Sequence, residues 1–182
     1  MISGQARRGR TFVTESPHMQ DKPLLLVDID GVISLWGFDP NARPPGAFHN
    51  VDGVIHFLSS EAGIHLLSLA ERFDLVWCSG WEEKAEEHLP HALALPPGVP
   101  FLSFSRNPGR NHAHWKLAAI EAYAGGRRPL AWIDDAHDAA CRAWAAERSA
   151  PTLLVATTPA VGLSAAHADE LAAWAAGLTG AA

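Results

Sequence analysis

Five short apolar runs alternate with segments of helical spacing, and this alternation restricts the chain to an α/β fold. The runs are LLLVDI (24–29), DLVWCS (74–79), PFLSF (100–104), PLAWID (129–134) and TLLVAT (152–157). Continuous apolar character marks strands buried on both faces. Helical segments follow at 61–72, 81–93, 112–123, 137–148 and 164–177. In the first, Ile64, Leu66, Leu67 and Leu69 lie toward one side. The second is expected to break or end near Pro90. The third closes at Gly125-Gly126. The pattern predicts a three-layer α/β/α sandwich around a mostly parallel five-stranded sheet.

Two segments stand outside the alternation. Residues 33–60 are dense in Gly, Pro and Asn at first, then read FHNV-DG-VIHF. That is the signature of two short strands about an Asp52-Gly53 turn. Nearly thirty residues is long for a strand-to-helix connection, so the segment is expected to form a β-hairpin flap over the sheet edge. Residues 1–22 carry Arg7, Arg8, Arg10 and Lys22 with no apolar period, and read as a mobile N-terminal tail. The remainder, 23–182, reads as one domain.

Composition narrows the function. Twenty acids against 14 bases give a net charge of −6, which argues against broad charge-driven binding to nucleic acid but leaves room for a local phosphate site. Cys78 and Cys141 fit no metal or disulfide spacing and read as buried thiols of a reducing, cytoplasmic environment. No apolar run approaches the ~18 residues of a membrane span, so no membrane partner is expected. Lysine is scarce (Lys22, Lys84, Lys116), which makes each one informative.

Ligands of open α/β sheets bind beyond the carboxyl ends of the strands. There the sequence collects Asp28 and Asp30 (LVDIDGV), Ser79 and Gly80 (LVWCSGW), and Asp134 and Asp135 (AWIDDAHD). Lys116 opens the helix before the fourth strand. Like charges 4 Å apart cost about 4 kcal/mol at an effective dielectric near 20, so four converging carboxylates imply a hard cation. An all-oxygen set without Cys or a close His pair points to Mg²⁺, which can also clamp a phosphoryl oxygen. Ser79, the Gly80 amide and Lys116 supply donors for further phosphate oxygens. One Asp is then left as nucleophile and one as acid/base.

This order of motifs resembles the haloacid dehalogenase (HAD) superfamily of aspartate-nucleophile phosphatases, over roughly residues 23–157 and with a Rossmann-like sheet. The resemblance implies Asp28 as nucleophile, Asp30 as general acid/base, Ser79, Gly80 and Lys116 as phosphate-binding residues, and Asp28, Asp30, Asp134 and Asp135 around Mg²⁺. Between the last two acids, Asp135 is the better match to a direct ligand and Asp134 to its support, with Asp138 a further candidate. An acid at position 30 favours phosphate esters over haloacids, because a leaving alkoxide needs a proton. More narrowly, SGW and the late VGLSAAHADELAAW segment resemble a small capless group that includes HAD domains of RNA-repair proteins. Receiver domains of two-component signalling use similar parts, but with the acidic pair first and the Lys last, the reverse of the order here.

Other residues carry weaker signals. Ser79 can equally cap the following helix. His112 and His114 lack the further ligands of a zinc site. Arg106 and Arg110 suit either a substrate's distal anion or a solvated loop. Trp36 and Trp81 lie near motif ends and are candidates to face a substrate, as are Phe48, His49 and Phe57 of the flap, which is expected to set substrate choice rather than chemistry. Three functions compete: a Mg²⁺-dependent phosphatase acting on a phosphorylated small molecule, a phosphatase acting on a phosphorylated nucleic-acid end, and a non-catalytic phosphate-binding module. Filled catalytic positions favour an enzyme, and the short stretch between Gly80 and Lys116 leaves no room for a large lid that would exclude a polymer end.

Overall fold

The computed structural model describes residues 22–105 and 113–179; most of the expected N-terminal tail lies outside them. The chain begins with β1 (Leu24–Val27) and runs into a flap built of β2 (Ser34–Leu35), β3 (Gly46–Val51) and β4 (Val54–Ser59). Then come α1 (Ser60–Leu69), β5 (Asp74–Trp77), α2 (Glu83–Leu93), α3 (Leu117–Ala124), β6 (Leu130–Asp134), α4 (Ala139–Glu147), β7 (Thr152–Ala156) and α5 (Ala165–Thr179). Four strands form a parallel sheet in the order β5-β1-β6-β7.

Alternate strand residues feed two cores, as a sheet covered on both faces requires. Leu25, Val27, Leu75, Trp77, Ala131 and Ile133 pack with Leu66, Leu89 and Leu171, from α1, α2 and α5. Leu24, Leu26, Val76, Leu130 and Trp132 pack with Ile120 and Cys141, from α3 and α4. The three expected layers are therefore present. Both cysteines are buried free thiols. Among the described residues, no helix is long and apolar enough to cross a membrane.

The fifth strand is reduced to a single bridge between Trp77 and Phe101. Trp77 N–H donates to the Pro100 carbonyl at 2.8 Å, and Leu102 N–H donates to the Trp77 carbonyl at 2.9 Å. Pairing stops there for two reasons. Pro100 has no N–H to donate. Phe104 N–H turns to the Glu82 carboxylate at 2.9 Å instead of to a strand. Helix boundaries also differ. α2 continues through Pro90 to Leu93, with Ala94 in the left-handed region closing it. The segment 112–123 enters through a 3₁₀ turn, His114–Lys116, before α3.

The flap is a true hairpin. Asp52 (φ 51°) and Gly53 (φ 85°) both take positive φ, as a two-residue type I′ turn demands. Gly53 N–H also donates to Asn50 Oδ1 at 2.7 Å. The turn fixes the register Phe48↔Phe57, His49↔His56 and Val51↔Val54. The two-residue β2 adds a third strand that the sequence pattern does not reveal. An ion pair between Asp52 and Lys84 ties the hairpin tip to α2. Phe57 is buried between Phe38 and Phe48, at centroid distances of 4.8 and 5.1 Å, so it cannot offer a free ring face. Phe48 and Trp36 remain exposed.

Candidate active site

The parallel register brings the ends of β1 and β6 together. Val27 pairs with Ile133, and Asp28 N–H donates to the Ile133 carbonyl at 3.0 Å. Asp28 and Asp134 therefore leave the sheet side by side. Lys116 reaches between them from the turn before α3, which Ala113 N–H anchors to the Ala136 carbonyl. Its Nζ stands 2.9 Å from Asp28 Oδ1 and 2.6 Å from Asp134 Oδ2. All three side chains are buried. The second Asp134 oxygen accepts the Ala136 N–H at 2.9 Å.

Asp135 completes the group. Oxygen atoms of Asp28, Asp134 and Asp135 lie within 4.8 Å of one another. Gly31 makes this possible. It adopts φ +74°, and a Cβ there would stand 2.4 Å from Asp135 Oδ2. Thr157, just past β7, pins the same turn by donating to the Gly31 carbonyl at 2.8 Å.

Charge is unevenly compensated in this cluster. Burial is the main reason that the Asp28 carboxyl is raised to about 6, with Asp134 adding to it and Lys116 opposing it. Burial opposes charge on Lys116, but the Asp28 and Asp134 carboxylates outweigh it and hold the ammonium well above the ordinary lysine range. Asp135 is also raised to about 6, by desolvation and by repulsion from Asp28 and Asp134. One ammonium thus falls short of neutralising three carboxylates. Burial drives the Cys78 thiol far upward, so it stays protonated and inert beside the site.

Asp30 stands apart from that group. Its Oδ2 accepts the Trp81 Nε1–H at 3.3 Å, and its Oδ1 lies 3.8 Å from His56 Nδ1. Lost solvation and the charge on Asp28 raise its carboxyl above the ordinary value. Its side chain is 49% exposed, so one side stays open. The carboxylate expected at the metal instead meets two aromatic rings, and it is not among the three whose oxygens lie within 4.8 Å of one another.

The remaining predicted residues are placed as follows. Ser79 is buried two residues past Trp77 on the same sheet edge, and Gly80 is exposed. Ser79 does not cap α2; the cap position is Glu82. Asp138 caps α4, accepting Cys141 N–H at 3.0 Å, and its other oxygen lies 2.6 Å from His114 Nδ1. These contacts leave Asp138 outside the acidic group. Trp81 is 8% exposed and engaged with Asp30, so it is not a free substrate platform. Arg106, Arg110 and His112 lie outside the described residues. Sequence reasoning misses His56 and Thr157. Pairing the hairpin across Asp52-Gly53 would have found His56 as an inward imidazole opposite His49.

A coordination shell of oxygen atoms, a carboxylate at the open end and an uncompensated negative charge together fit a hard divalent cation such as Mg²⁺. None of the curated proteins matches the chain. A family model does match residues 24–168, the span that holds every strand of the sheet and the whole acidic cluster. That model describes the HAD domain in Swiss Army Knife RNA repair proteins, and the chain belongs to this HAD family.

Proposed function

We propose that the protein is a Mg²⁺-dependent phosphatase that hydrolyses a phosphate monoester through an aspartyl-phosphate on Asp28. One observation carries this reading: the Asp28 carboxylate, held 2.9 Å from Lys116, shares a strand-end cluster with Asp134 and Asp135 while Asp30 stands free of it. Asp28 and Asp135 would hold the cation, which supplies positive charge to a phosphoryl oxygen when bound. Lys116 fixes the Asp28 carboxylate for attack and offsets charge on the transferred group. Ser79 and the Gly80 amide donate to phosphate oxygens.

Bond changes follow from these positions. An Asp28 oxygen bonds to phosphorus as the ester P–O bond breaks. The Asp30 carboxyl passes its proton to the departing oxygen, a role suited to its raised proton affinity. Water then attacks phosphorus and gives a proton to the Asp30 carboxylate, while the Asp28–phosphorus bond breaks. Inorganic phosphate leaves and both acids return to their starting states.

Family membership supports a second reading of the substrate, a phosphorylated RNA end. The flap is the single large insertion among the described residues, and the exposed side of Asp30 suits a polymer terminus. The test is phosphate release with Mg²⁺ across nucleotides, sugar phosphates and 3′- or 5′-phosphorylated oligoribonucleotides. Asp28→Asn should fold and lose turnover by orders of magnitude. Near-normal release by a folded Asp28→Asn protein would sink the phosphatase mechanism, and preference for a small ester would sink the RNA-end reading.

A further inference from the structure

We propose that His56 is a positioning residue that holds the Asp30 carboxyl toward the leaving-group oxygen, so that the flap takes part in the chemistry. This rests on the phosphatase reading and adds to it a second element that shapes the acid step.

The clamp on Asp30 comes from two places remote in sequence. Trp81, just past β5, donates its Nε1–H to Oδ2. His56, at the middle of β4, flanks Oδ1 at 3.8 Å. The two rings brace each other, edge against face, with centroids 4.6 Å apart and planes at 66°. His56 is itself held: its Nδ1 is 2.9 Å from Ser34 Oγ, and its side chain is only 17% exposed. Ser34 belongs to β2 and pairs with Leu58, two residues along β4 from His56. The flap thus reaches this carboxyl through the β4 imidazole, which the β2 hydroxyl and the hairpin register hold in place.

A carboxyl at the start of a turn has free rotation about two side-chain bonds unless something restricts it. Asp30 follows Asp28 by two residues, yet the ion pairs of Lys116, the cation that orders Asp28 and Asp134, do not include it. Its order comes from the two rings instead. A proton donor misplaced by about 1 Å loses roughly a hundredfold in rate. About half of the Asp30 side chain stays open to solvent, which gives an ester oxygen room to arrive. His56 and Trp81 therefore act as a backstop and leave the carboxyl partly open.

Leaving-group dependence separates this role from a structural one. Alkoxide departure needs the proton, whereas a nitrophenolate leaves without much help. The experiment compares kcat/KM of the wild type, His56→Ala, His56→Asn and Trp81→Phe on an alkyl phosphate and on 4-nitrophenyl phosphate, with thermal melts to confirm folding. His56→Ala should lose about ten- to a hundredfold on the alkyl ester and far less on the aryl ester. His56→Asn, which keeps a polar group near the Nδ1 position, should recover part of the loss. Trp81→Phe keeps a ring but loses the N–H, and should show the same selective loss. Equal proportional losses on both esters, or no loss on the alkyl ester, in the folded variants would overturn the role of His56 while leaving the phosphatase reading intact. A wild type inert toward every ester would instead remove the phosphatase reading, and this role with it. If His56→Ala fails to fold, the same outcomes are read from His56→Asn and Trp81→Phe.

Discussion

Asp134 grips Lys116 at 2.6 Å with one carboxylate oxygen and the Ala136 N–H at 2.9 Å with the other. Both of its oxygens are engaged, and none of its surface is exposed. Asp134 therefore acts as a brace for Lys116, and Lys116 in turn orients Asp28. Asp135 has no ion pair with Lys116 and is only partly buried, which suits it to meet a cation.

The Lys116 brace has a stability consequence. Truncating one partner of a buried ion pair leaves the others uncompensated, at a cost of roughly 3–5 kcal/mol. Lys116→Met should therefore lower the metal-free unfolding free energy by about that amount. Urea denaturation at neutral pH measures it. A loss under about 1 kcal/mol would mean that Asp28 and Asp134 do not depend on this ammonium.

Mg²⁺ should stabilise the folded protein through Asp28 and Asp135. At a hundred times the dissociation constant the gain is about 2.7 kcal/mol. Asp135→Asn should abolish most of the resulting rise in melting temperature. Asp138→Ala makes the contrast. It removes the α4 cap and should cost about 1 kcal/mol while keeping the Mg²⁺ response. An unaltered response in Asp135→Asn would reassign the cation ligands.

Acid–base linkage gives an independent check on the same carboxylate. Asp135 has an ordinary value of 3.8 when unfolded and is raised to about 6 in the fold. The folded state then binds more protons between those values, so this group's contribution favours folding below about 4 and is lost as pH rises through 6. Asp28 acts in the same sense, being also raised to about 6. His137 acts in the opposite sense: burial lowers it to about 4, so its contribution grows as pH rises toward 6.5. The difference between wild type and Asp135→Asn cancels the common terms. Without metal, the stabilising effect of Asp135→Asn should be larger at pH 6.5 than at pH 4.5, as read from denaturant midpoints. An effect independent of pH across that interval would mean that Asp135 is not electrostatically stressed.

The chain's own pattern made much of this legible. Apolar runs ending in DxDG, SG and DD placed Asp28, Ser79 and Asp134 at one sheet edge, because strand burial and strand ends leave a strong one-dimensional signal. The Asp52-Gly53 pair announced the hairpin for an equally local reason, since few residues accept two successive positive φ values. What escaped was long-range. The fifth strand fails because Phe104 N–H prefers a carboxylate from Glu82, 22 residues back. His56 meets Asp30 only after β2, β3 and β4 have paired. Thr157 meets Gly31 across 126 residues. No periodicity encodes such contacts.

Gly31 offers the sharpest test of how the site is assembled, because two independent demands fall on one atom. Its φ of +74° suits glycine, and an L side chain there costs about 1–2 kcal/mol. A Cβ would also stand 2.4 Å from Asp135 Oδ2 and 2.5 Å from its Cγ, well inside van der Waals contact. The turn cannot retreat easily. Its carbonyl is fastened to Thr157, and Gly31 N–H donates to the Ser34 carbonyl at 2.8 Å. Asp135 is the freer partner, being only partly buried, so it should be the group that moves. Gly31→Ala should then cost a modest amount of stability but most of the Mg²⁺-induced rise in melting temperature. Lys116 and Asp134 lie on other elements and should stay paired. Titrating Mg²⁺ against the folded variant, with calorimetry and melting followed together, reads both effects. Wild-type Mg²⁺ affinity in Gly31→Ala would show that the Asp135 carboxylate does not have to occupy the space that the missing Cβ leaves.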